Sequence, residues 1–295
     1  MIGYLLRQPI AKVVVTGVTA LVLVACAMIT SQPSGESPTT VETAVTTPAL
    51  FEIITKDHAF EAVSAIEAGW VTIKSKNEGA EPHHVQLLRL NEGVTFEAFV
   101  GALQQGIEAG MPLVTLAGGP GPLEPGDEQM VTVELTPGEY VLICLLPDAN
   151  GVPHVAHGMV APLSVIAESE VTAAPPQADA EVRLVNFSFI LPEEIQAGEQ
   201  IWKVTNDGDQ WHEISLIKLA EGKTATDALH WMHAPAGPPP FTNAGGMQGL
   251  DPADSAYLHL NLTPGDYVGL CHIPDLASGK AHTELGMVMQ FKVHQ

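Results

Sequence analysis

The sequence predicts an all-β protein made of two tandem Greek-key β-sandwiches, each with a short helical insertion. Three observations lead there. Charged residues are only 16% of the chain while 23 prolines and 27 glycines punctuate it, which is the composition of many short strands joined by turns. Its 295 residues suffice for two domains of ordinary size, each with its own core. The chain also repeats itself at an offset of 127 to 129 residues. Asn77-Glu78-Gly79 followed by Pro82-His83-His84-Val85-Gln86-Leu87 returns as Asn206-Asp207-Gly208 followed by Trp211-His212-Glu213-Ile214-Ser215-Leu216. Thr136-Pro137-Gly138-Glu139-Tyr140 leading to Cys144 returns as Thr263-Pro264-Gly265-Asp266-Tyr267 leading to Cys271. A repeat of this length sets the architecture before any single element is assigned.

The elements follow in order. Residues 1–25 read as an export signal: Arg7 and Lys12 precede a nearly unbroken apolar run from Val13 to Ala25,. Leu23-Val24-Ala25-Cys26 resembles a bacterial lipobox, so Cys26 is the candidate lipidated first residue of the mature chain; an uncleaved apolar anchor extended through Ile29 is the alternative,. Both place the remainder outside the cytoplasm. Residues 26–48 are rich in Ser, Thr, Pro and Glu, with too little apolar surface to order themselves, and read as a tether,. The first domain is assigned to 49–168 and the second to 181–295, with the linker 169–180 between them.

Within the domains, Val131 to Leu135 and Leu258 to Leu262 alternate as half-buried strands do, and each enters a Thr-Pro-Gly turn,. Leu184 to Phe189 and Gln200 to Val204 read as further strands,. Thr95 to Ala109 and Thr224 to Met232 show helical spacing behind a threonine start,.

Each half carries the same four residue types. The first has His83, Cys144, His154 and Met159, and the second His212, Cys271, His282 and Met287. Two imidazoles, one thiolate and a weak thioether form the donor set of blue-copper electron-transfer centres. Up to two coppers per chain are therefore expected. With Cys26 lipidated, Cys144 and Cys271 are the cysteines left; a disulfide would have to join inward-facing positions of two sandwiches, which disulfide geometry disfavours.

These residues carry a resemblance to the cupredoxin family, plastocyanin-like proteins in particular, over nearly all of both halves. The matching stretches are Pro82-His83, Gly138-Glu139-Tyr140-Val141-Leu142-Ile143-Cys144, His154 and Gly158-Met159, then His212, Gly265 through Cys271, His282 and Gly286-Met287. The resemblance implies copper ligation by the eight residues and electron entry at His154 and His282. The chain departs from the family in two ways. Nine and ten residues separate cysteine from histidine, which is closer to nitrite-reductase-like loops, and the family's Asn after the first histidine is His84 or Glu213. The resemblance implies a redox carrier and not an enzyme. His58, His157, His230, His233, His259, His272 and His294 invite a second, catalytic copper, but Ile143 and Leu270 stand where copper nitrite reductases and multicopper oxidases place a histidine. A nitrite-reductase or oxidase-type enzyme, a copper-free binding module and a Cu(I) carrier remain the alternatives.

Acidic residues outnumber basic ones by 34 to 12, a formal charge of -22, which repels nucleic acid. The expected partners are a redox protein, a basic one where this field steers it, and the membrane through the lipid.

Overall fold

The computed structural model describes residues 46–167 and 173–295. Residues 1–25, Cys26 and the tether up to residue 45 lie outside the described residues. No helix among the described residues is long and apolar enough to cross a membrane.

The chain folds as expected, into two β-sandwiches. In the first half a five-stranded sheet runs in the order Ala65–Glu67, Val160–Ile166, Gly138–Ile143, Gln86–Leu90, Val114–Leu116. In the second the order Ile195–Gln196, Val288–His294, Gly265–Leu270, His212–Leu219, Phe241–Leu250 is its counterpart. The opposing layer is one sheet common to both halves. Its eight strands run Ser188–Ile190, Ala180–Val185, Gly198–Asn206, Ser255–Leu262, Glu128–Leu135, Gly69–Asn77, Ala49–Lys56, Ala59–Glu61. The halves join where Ser255–Leu262 pairs antiparallel with Glu128–Leu135, placing Ala256 opposite Val133 and Leu258 opposite Val131. Pairing these two strands removes a pair of open edges. It also merges the apolar interiors: one cluster holds Phe51, Ile73, Val131 and Leu142 of the first half with Trp202, Leu258, Leu216 and Val293 of the second.

Side chains tie the junction. Thr132 Oγ1 lies 2.9 Å from His259 Nε2, Gln129 donates to the His259 carbonyl, and Gln86 bonds both the carbonyl and the N–H of Gly249 at 3.1 and 2.9 Å.

Two sequence expectations need correction. The first helix is shorter than Thr95 to Ala109: Thr95 caps Phe96–Leu103, and the chain breaks at Gly106, whose φ of 134° no α-helix accommodates, before the short turn Ile107–Gly110,. The second helix, Ala225–His233, starts at Thr224 with a complete capping box to Asp227,. The segment Leu184 to Phe189 is not one strand. It is a hairpin whose turn falls at Asn186 and Phe187, with Val185 paired to Ser188 and Phe187 at a φ of 59°. The equivalent turn in the first half is Asp57-His58, with His58 at 66°.

The Thr-Pro-Gly turns are closed by the tyrosines that follow. Tyr140 donates its hydroxyl to the Thr136 carbonyl at 3.0 Å and Tyr267 to that of Thr263 at 2.8 Å. This fixes the start of the strand that ends at each cysteine.

Candidate metal centres

The first histidine of each half is delivered by the Asn-x-Gly loop. Asn77 donates to the carbonyls of Glu81 and Leu123 at 2.8 and 2.9 Å while its own carbonyl accepts the Gly79 N–H at 2.8 Å. Asn206 makes the same three bonds to Gln210, Leu250 and Gly208. The loop is thereby bent so that His83 and His212 point inward.

Cysteine, second histidine and methionine are locked together by backbone bonds. Cys144 N–H donates to Met159 O at 3.3 Å, Val155 N–H to Cys144 O at 2.8 Å, and Met159 N–H to His154 O at 3.0 Å. The second half repeats this with Cys271, Thr283, Met287 and His282. In both, the histidine opens a single 3-10 turn that ends on a glycine in the left-handed region, Gly158 or Gly286.

The side chains converge. His83 Nδ1 and His154 Nδ1 lie 3.1 Å apart and Cys144 Sγ is 3.6 Å from the latter. In the second half the His212 to His282 distance is 3.1 Å and the Cys271 to His282 distance 3.4 Å. In each half the three ligand atoms lie within 4.8 Å of one another, and among the described residues these are the two such groups. All six residues are buried, as are Met159 and Met287.

The donor set fits a metal on its own chemistry. His83 Nε2 lies 3.1 Å from Asp57 Oδ1; a carboxylate accepts, so the ring proton sits on Nε2 and Nδ1 turns a lone pair to the centre. Burial lowers His154, His212 and His282 toward the neutral form that ligation requires. His212 is pushed down to about 4 by burial and by His282, and His154 is lowered by burial and His83 against the opposing pull of Glu81. The thiols are buried and protonated: burial pushes Cys144 up to about 11, and burial with the nearby Glu213 pushes Cys271 higher still. Two lone pairs and a sulfur held at this separation in a dry pocket suit a thiophilic cation that displaces the thiol proton.

The residues beside the first histidines perform one task in two ways. His84 Nε2 accepts the N–H of Leu145 at 2.6 Å, and Glu213 Oε1 accepts the N–H of His272 at 2.8 Å. Each pins the residue after its cysteine, so the departure from the family's Asn leaves the stiffening bond in place. Burial keeps His84 neutral down to about 3 and lifts the Glu213 carboxyl to about 7.

Sequence reasoning missed the outer partners of the histidines. Asp57 bonds His83, and Asn186 Oδ1 lies 3.2 Å from His212 Nε2. Gly79 and Gly208 permit this approach: a Cβ on Gly79 would stand 2.4 Å from Asp57 Oδ1 and 2.7 Å from His83 Nε2, and one on Gly208 2.6 Å from both Asn186 Oδ1 and His212 Nε2. The next residue covers the other ligand. His58 stacks on His154 at 5.4 Å, and Phe187 stands edge-on to His282 at 5.2 Å. Of the remaining histidines, His157 bonds Asp148 at 3.1 Å, His259 belongs to the sheet junction, and His230 and His233 close a helix.

No protein-family model and no curated protein sequence matches the chain. Solved structures do. The dithionite-reduced auracyanin of the photosynthetic bacterium Roseiflexus castenholzii is 21% identical over 41% of this chain and 98% of its own, with a TM-score of 0.27. The blue copper oxidase of Nitrosomonas europaea is 16% identical over 84% of this chain and 86% of its own, at 0.26. The copper nitrite reductase of the same organism is 13% identical over 84% and 94%, at 0.24. Because the likeness extends to an oxidase and a reductase as well as to auracyanin, the expectation that the chain is not an enzyme does not stand. The fold is cupredoxin-like, and among the described residues it carries two His-Cys-His groups that could hold a metal ion.

Proposed function

We propose that the chain is an exported, membrane-tethered protein that binds copper in a type 1 (blue) centre in each half and moves single electrons. The observation that carries this reading is the buried convergence of two imidazole Nδ1 atoms and one thiol sulfur, present twice. His83, Cys144 and His154 would hold the first metal and His212, Cys271 and His282 the second, with Met159 and Met287 as weak thioether donors. Copper supplies a one-electron couple there. The protein's part is rigidity: the loop bonds of Asn77 and Asn206 and the strand anchored by Tyr140 or Tyr267 hold the donors in place, so little rearranges as charge changes. Electrons enter and leave by way of His154 and His282. Cys26 carries the lipid, and a basic redox protein is the partner that the charge of -22 favours,.

The test is the copper content and visible absorption of residues 30–295 after loading with Cu(II) and removal of loosely bound metal. An intense thiolate-to-copper band with two coppers per chain supports the reading; no band and no retained copper sinks it. Nitrite or oxygen consumption by the same preparation, with a third and weakly coloured copper, identifies an enzyme.

A further inference from the structure

The two halves differ in what faces their histidines from outside, and the difference is systematic. In the first half both outer partners are acids. Asp57 Oδ1 lies 3.1 Å from His83 Nε2, and Glu81 Oε2 lies 3.1 Å from His154 Nε2, close in distance though off the line of a hydrogen bond. In the second half the aligned positions are the corresponding amides, Asn186 and Gln210. Asn186 Oδ1 meets His212 Nε2, and its amide donates to Asp209. Gln210 takes the place of Glu81, and the carboxylate that acts on His282 is Asp275. Asp209 thus stands one amide further from its ring than Asp57 does.

Taking the copper reading above as its premise, we propose that this exchange of acids for amides separates the potentials of the two centres by lowering that of the first half. An anion accepting from Nε2–H makes the imidazole a stronger donor and adds negative charge near the metal. Both effects favour Cu(II) over Cu(I). An amide oxygen does this more weakly, since hydrogen bonds to charged groups are roughly twice as strong as those to neutral ones. Asp57 Oδ1 also accepts the N–H groups of Ala80 and Glu81 at 2.8 and 3.2 Å, which hold the carboxylate against the ring. Its other face is open to water, as is that of Glu81, with side-chain exposures of 43% and 36%. Solvent therefore screens part of the effect. The pair together is expected to shift the Cu(II):Cu(I) ratio at fixed poise about tenfold, or about 59 mV for a one-electron couple.

The experiment is a spectroelectrochemical titration of the copper-loaded full chain, with Cys271→Ser used to assign the two waves. The isosteric variant Asp57→Asn/Glu81→Gln is expected to raise the first-half wave about tenfold in ratio and leave the second in place. Asn186→Asp/Gln210→Glu is expected to lower the second-half wave by a similar factor. Glu213, the buried acid behind Cys271, is untouched in both variants, so its contribution cancels. A protein with two blue coppers whose waves stay put, or move the other way, overturns this inference while leaving the copper reading intact. A wild-type protein that holds no copper overturns both. Should the first variant fail to fold, the second decides alone.

Discussion

Replacing Glu213 by Gln in the metal-free protein should stabilise it at alkaline pH and leave it unchanged in acid. The carboxyl is buried, and burial lifts it from 4.5 to about 7, against the opposing bond from the His272 N–H. The folded state therefore holds its proton where the unfolded chain has released it. Unfolding sheds a proton between pH 4.5 and about 7, so stability falls as pH rises through that window. Below it both states are protonated and nothing is lost; above it the loss is complete. At about 1.4 kcal/mol per pH unit the interval is worth about 3 kcal/mol. Gln keeps an acceptor for the His272 N–H and carries no charge. The variant should match wild type at pH 4.5 and exceed it by about 3 kcal/mol at pH 8, read from denaturant unfolding followed by tryptophan fluorescence. His84, which burial holds neutral down to about 3, weakens both proteins equally as pH falls and cancels in the comparison. Parallel stability-versus-pH curves for the two proteins would refute the argument.

Two further outcomes are expected. Gly79→Ala drives a Cβ to 2.4 Å from Asp57 Oδ1 and 2.7 Å from His83 Nε2; overpacking of this kind costs about 2 kcal/mol. It should weaken copper retention in the first half alone, so that metal analysis falls toward one copper per chain; undiminished retention would show that the loop yields freely. Because both thiols are protonated at neutral pH, with Cys144 at about 11, loading should release one proton per copper in a pH-stat. Loading without proton release would mean that the thiols are not ligands.

The two-sandwich plan and the two His-Cys-His groups were legible because a sequence repeat and a recurring residue set are both local patterns. The outer shell was hidden by a pattern that misled. Leu184 to Phe189 alternates in polarity as a strand does, and the hairpin turn at Asn186-Phe187 contains no glycine to betray it. The offset offered a signal all the same: 186 less 57 is 129, the spacing that relates His83 to His212. Glu81 and Gln210 align by the same step. The shared sheet was not legible, because Glu128–Leu135 and Ser255–Leu262 each alternate as any half-buried strand would, and alternation says nothing of which edges meet,. Nor did periodicity reveal the break at Gly106, where backbone conformation overrides helical spacing.

That shared sheet makes the molecule a poor candidate for dissection. A cut at the linker would strip a neighbour from Glu128–Leu135 and from Ser255–Leu262 at once. Each fragment would then present a bare row of amide and carbonyl groups, with Val131 and Val133 or Ala256 and Leu258 beside it, a template for sticking to its own copies. The halves repeat each other in sequence yet share one sheet, so neither fragment would keep the neighbour that its inner strand has in the whole chain.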